Sequence, residues 1–181
     1  MTSREPVEDS LPLSPMAVFI MALITKAGAK TLYQLKTLGA LSYGGIRPTL
    51  QGLQEHGYLS KAASEGDLGK KALAATSAGL KAFEETWRWS LGEAVRGDVD
   101  TILRLAWVAH TMGEKDMART FLGSAADFRR KELETLSDKS IGSTPAMSYR
   151  RLRTVAARHQ SQGEADLLEK FSHSLDEYFT K

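Results

Sequence analysis

The sequence predicts a mainly α-helical chain with one small α+β segment, and three observations predict it. Apolar residues recur at helical spacing through most of the 181 residues. Two weak strand signals flank the turn-rich stretch Ser64-Glu65-Gly66-Asp67-Leu68-Gly69. Beyond Leu91 every apolar pattern has the helical period again.

Ser14-Pro15 is a helix start, with Ser as N-cap and Pro at the first helical position, and Phe19, Ile20, Leu23 and Ile24 carry the pattern to Gly28. Thr31 with Gln34 forms a capping box for a second, short helix whose stripe is Leu32, Leu35 and Leu38, ending at Gly39. A third helix places Ile46, Leu50 and Leu53 on one face and ends at Gly57. Tyr58–Ala62 and Lys70–Ala75 read as the two strands of a hairpin. Thr76 caps a fourth helix with Leu80, Phe83 and Trp87 inward. Trp89, two residues on, must face elsewhere.

The remainder reads as helices. Asp98 caps a segment containing Ile102, Leu103, Leu105 and Trp107 that ends at Gly113. A long helix is expected from Glu114 to Leu136, and a loop from Ser137 to Ser148. Tyr149–Phe179 reads as one helix, interrupted or weakened at Gly163, with a seam of Leu168, Phe171, Leu175 and Tyr178. The expected organisation is a tail at 1–14, a domain at 15–90 and an all-α region at 91–181.

Helix, short helix, helix, hairpin is the order of a winged helix-turn-helix. Charge points the same way. Residues 15–90 hold nine Lys/Arg against five Asp/Glu, while residues 91–181 hold fourteen of each. The positive excess therefore lies in the first domain, as an anionic partner would require. A helix entering the DNA major groove must bring its N-terminus close to phosphates and base edges. The third helix opens Ser42-Tyr43-Gly44-Gly45, so glycines keep side chains out of the way and leave amide groups facing outward. Pro48 distorts this start. Tyr43, Arg47 and Gln51 share one side off the apolar stripe; Arg can grip guanine and Gln adenine. Lys61, Lys70 and Lys71 flank the hairpin, where a wing touches the DNA backbone.

From Leu13 to Leu80 the chain resembles the DNA-binding domain of the PadR family of bacterial transcriptional regulators. Ser42, Gly44, Gly45, Ile46, Pro48, Leu50, Leu53 and Gly57 match its recognition-helix motif, with Arg47 where the family usually has Tyr. Lys70-Lys71 and Thr76-Ser77-Ala78-Gly79 match the segment after the wing, with Ala72 and Ala75 in place of bulky residues. The resemblance implies a homodimeric regulator on an operator with two half-sites, and in some members a small-molecule effector.

Other chemistry finds no motif. The chain has no cysteine, and His56, His110, His159 and His173 show no metal-ligand spacing, so no cofactor or metal is expected. Glu84-Glu85 and Asp176-Glu177 are adjacent pairs that point to different faces and do not form an acid/base pair. Arg129-Arg130-Lys131 and Arg150-Arg151-Arg153 read as solvated helix faces. No enzyme signature is present. No apolar run approaches the roughly 18 residues of a membrane span. The expectation is a cytoplasmic regulator that binds double-stranded DNA and dimerises through Leu168, Phe171, Leu175 and Tyr178. The alternative is an adaptor of the same fold that docks protein instead.

Overall fold

A computed structural model describes residues 13–60, 72–136 and 145–179. Eight helices run through them: α1 (Pro15–Thr25), α2 (Leu32–Gly39), α3 (Tyr43–Glu55), α4 (Ser77–Ala94), α5 (Val99–Thr111), α6 (Lys115–Leu136), α7 (Pro145–His173) and α8 (Leu175–Phe179). The chain divides into two compact units at Ser90/Leu91, inside α4.

In the first unit, α1 is the core element. Ala17 through Ile24 are all buried, because this helix is apolar on every side and needs cover all round. Ser14 Oγ accepts from Ala17 N at 3.2 Å, and Pro15 follows. In α2, Thr31 Oγ1 accepts from Gln34 N at 3.2 Å, while Gln34 Oε1 reaches back to Lys30 N at 2.7 Å. The expected stripe is corrected at one position: Leu38 is 56% exposed. At 100° per residue it sits a quarter-turn off the line of Leu32, Leu35 and Gly39. Gly39 takes the inward place, where a Cβ would lie 2.8 Å from Leu23 Cδ1. Ile46, Leu50 and Leu53 bury the inner face of α3.

The winged, α+β part of the fold expectation is overturned. Among the described residues there is no strand, only an isolated antiparallel bridge between Leu59 and Ala75. Ser60 N donates to Ala74 O at 2.9 Å and Thr76 N to Tyr58 O at 3.0 Å. Five alanines in the two expected strands and their flanks (Ala62, Ala63, Ala72, Ala74 and Ala75) supply little of the β-branched, alternating surface that sheets favour. Lys61, Lys70 and Lys71, the expected wing contacts, lie outside the described residues.

Thr76 closes this junction. Its Oγ1 accepts from Gly79 N at 3.0 Å and donates to Gly57 O at 2.6 Å. Gly79 rather than Leu80 faces inward in the first turn of α4, and Leu80 is exposed. A Cβ on Gly79 would stand 2.1 Å from Tyr58 O, so only glycine fits. Phe83 and Trp87 are buried as expected, and Trp89 is exposed.

The second unit is a helical stack in which α6 packs on both α5 and α7. Asp98 caps α5 by accepting from Thr101 N at 2.9 Å, and this bond holds its carboxyl below the usual range. Ion pairs fix α6 and α7 antiparallel: Arg129–Glu164 at 2.8 Å, Arg130–Glu169, and Arg119 to Asp176 just beyond α7 at 2.6 Å. Arg129 was expected on a solvated face and is instead buried, donating to Glu164, Glu132 and the Gly97 carbonyl.

The C-terminal expectations need three corrections. Helix α7 begins at Pro145, inside the expected loop, with residues 137–144 outside the described ones. It passes through Gly163 without a break and ends at His173, before Ser174. Leu168 and Leu175 of the expected dimer seam are buried within the unit at 0% and 1% exposure; α6 packs along α7, which carries Leu168, while Leu175 opens α8. Phe171 is half-buried and meets Tyr178 edge-on at 4.8 Å, leaving Tyr178 nearly half exposed.

Candidate nucleic-acid interface

The outer face of α3 gathers the residues read from the sequence. Ser42 is the N-cap, its Oγ accepting from Gly45 N at 3.3 Å, and Ile46 N closes the first turn on Ser42 O. Tyr43, Gly44, Gly45, Arg47 and Gln51 are all exposed. A Cβ on Gly44 would meet nothing within 4 Å, and one on Gly45 only the Ser42 hydroxyl at 3.5 Å. Packing therefore does not demand glycine at either place; what the glycines do is leave the helix N-terminus bare toward solvent. Pro48 lies within α3 and withdraws one intrahelical donor, so the Gly44 carbonyl loses its usual partner.

Two residues outside the sequence expectation belong to this face. Lys36 of α2 places its Nζ 4.6 Å from the Tyr43 ring centroid, a cation–π contact that holds a positive charge beside the start of α3. Glu55 accepts from Gln51 Nε2 at 2.8 Å. Arg47, Gln51 and Glu55 thus form one line at four-residue spacing, positive, amide and negative in turn. The i+4 spacing was visible in the sequence. Lys36 was not, because its approach to Tyr43 depends on the angle between α2 and α3.

Behind α3 lies an open groove of about 560 Å³, lined in part by Leu13, Ala17, Pro48, Gly52, His56 and Tyr58. His56 stacks on Tyr58 at 5.9 Å and lies 2.7 Å from Gly52 O through Nδ1. Its lining includes neither Trp87 nor Trp107.

Elsewhere, Asp176 binds Lys115 Nζ at 2.8 Å and Arg119, with His110 Nε2 at 3.8 Å. The Lys115 hydrogen bond, with the nearby positive charges, draws its carboxyl below the usual range. Among the described residues no group of His, Cys, Asp or Glu is placed to hold a metal ion. No helix among them is long and apolar enough to cross a membrane. No protein-family model matches the chain, and no curated protein matches it.

Proposed function

We propose that the unit ending at Ser90 binds double-stranded DNA through α3, and that the protein is a transcriptional regulator of the kind its PadR-like recognition-helix motif implies. One observation carries the reading: α3 is anchored by Ile46, Leu50 and Leu53 while its opposite face presents Tyr43, Arg47 and Gln51 beside a glycine-bared N-terminus. A helix fixed on one side and polar on the other, with Arg47 and Lys36 at its bared start and Glu55 at its far end, suits the major groove. Arg47 supplies a bidentate donor for guanine, Gln51 an amide for adenine, and Lys36 a phosphate contact. A small-molecule effector of the kind some members of that family bind would find room in the groove beside Pro48 and Gly52. The protein would work without catalytic chemistry of its own.

Titration of the protein's own promoter duplex across a salt series tests the proposal. Affinity falls steeply with salt if phosphates are engaged, because bound counterions are released. A flat response, or no binding, sinks it. Tyr33 and Leu38, large apolar side chains exposed on α2, favour a second reading in which this unit docks a partner protein.

A further inference from the structure

A carboxylate on the outer face of α3 works against DNA binding, because it repels phosphates wherever it nears them. Glu55 is such a group. It is exposed, and its Oε1 accepts from Gln51 Nε2 at 2.8 Å. Packing does not explain it: at about 100° per residue, Gln51 and Glu55 both stand a quarter-turn or more from the buried Ile46, Leu50 and Leu53. Nor does the helix dipole. Glu55 is the last residue of α3, where a negative charge is disfavoured. What the carboxylate does is take hold of Gln51.

The chemistry of that bond restricts the amide. An ionised carboxylate only accepts, so Gln51 turns its NH₂ group toward Glu55 and cannot offer its carbonyl there instead. One of the two Nε2 hydrogens is used. One N–H donor and the Oε1 acceptor remain for a base edge. In the major groove adenine presents an acceptor at N7 and a donor at N6, whereas guanine presents two acceptors, N7 and O6. The held amide matches adenine at both atoms. Against guanine it satisfies one acceptor and sets its own carbonyl oxygen against the other. A free amide has both hydrogens to give and can turn them to guanine.

Resting on the reading of α3 as the DNA reader, we propose that Glu55 is a positioning residue that makes Gln51 select adenine over guanine. The Nε2 hydrogen beside Oε1 is the one adenine N7 takes, and the other goes to Glu55. Glu55 acts through Gln51 and touches no base. Its effect is confined to one base pair, since Arg47 lies eight residues earlier, about 12 Å along the helix axis. The phosphate repulsion that Glu55 brings is the cost of this selectivity, as a discriminating site accepts some loss of affinity to reject the wrong partner.

Fluorescence anisotropy of the full chain on the preferred duplex and its single base-pair substitutions, at fixed salt, tests this. Gln51→Ala locates the base pair, by abolishing an adenine-over-guanine preference of about tenfold, the size of one bidentate contact. Glu55→Ala brings that ratio to within about threefold, leaves the preference set by Arg47 unchanged and keeps the wild-type circular dichroism. In the protein without DNA, the side-chain amide resonances of Gln51 shift between wild type and Glu55→Ala. Three results overturn the proposal while DNA binding stands: a ratio indifferent to Glu55→Ala, a uniform tightening on all duplexes, or no adenine preference owed to Gln51. Loss of a cytosine preference that Gln51→Ala leaves intact also overturns it, since Glu55 would then read a base itself. A wild type that binds no duplex removes the DNA reading and this role together, and the Gln51 resonances then show whether the pairing itself exists.

Discussion

Replacing Arg129 with methionine keeps the aliphatic stem and deletes the guanidinium. That group is held by Glu164 at 2.8 Å, Glu132 at 3.1 Å and the Gly97 carbonyl, with the Arg side chain 10% exposed. Removing one partner of a fully buried ion pair costs about 3–5 kcal/mol. Here the full figure does not apply, since Glu164 is 23% and Glu132 44% exposed and both recover some hydration. The Gly97 carbonyl, left without its donor, adds about 1–3 kcal/mol if it stays dry. The expected loss is about 2–4 kcal/mol in the second unit, between the exposed and buried limits. For a unit of this size each kcal/mol moves the melting point by about 4–8 °C. Urea unfolding of Arg129→Met, Glu164→Gln and the double variant, followed by circular dichroism, measures it. The double variant loses at least about 1 kcal/mol less than the two single losses combined, because neutralising Glu164 removes the stranded charge. A loss under about 0.5 kcal/mol for Arg129→Met, or strict additivity, refutes the argument.

Gly79→Ala forces a methyl onto the Tyr58 backbone and disturbs the Thr76 cap; it costs more than about 2 kcal/mol by thermal melting, where a surface helix position would gain from alanine. Arg47→Ala weakens binding to the preferred duplex by about 1–3 kcal/mol and relaxes preference at one base pair, read by fluorescence anisotropy on single-substitution duplexes. Lys36→Ala instead weakens all duplexes alike and lowers the salt slope by about one. The Asp176 carboxyl titrates below its unfolded value, so its contribution to stability is present above the usual aspartate range and lost as pH falls through the folded one. Asp176→Asn therefore lowers the melting point at neutral pH, and the difference from wild type closes in acid; a constant difference at every pH contradicts this.

The caps and stops were legible in the sequence because each depends on a few neighbouring residues. Ser14, Thr31, Ser42, Thr76 and Asp98 each accept from the backbone amide three residues on, and Gly57 and Gly113 have positive φ at the ends of α3 and α5. The outward side of α3 was legible for the same reason: Ile46, Leu50 and Leu53 define one face, and Tyr43, Arg47 and Gln51 must lie off it. What failed required knowledge of neighbours. Tyr58–Ala62 and Lys70–Ala75 look like strands to a local reading, but a ladder forms only where two surfaces match, and Leu59 and Ala75 make a single bridge. Leu168 and Leu175 form an apolar line whether the partner is α6 or another copy, and the sequence pattern is identical in both cases. Arg129 reads as one of three surface cations until Gly97, Glu132 and Glu164 converge on it from positions 32, 3 and 35 residues away. Periodicity tells which side of a helix seeks cover; only the tertiary structure decides what covers it, because burial is a property of pairs of surfaces and not of either one.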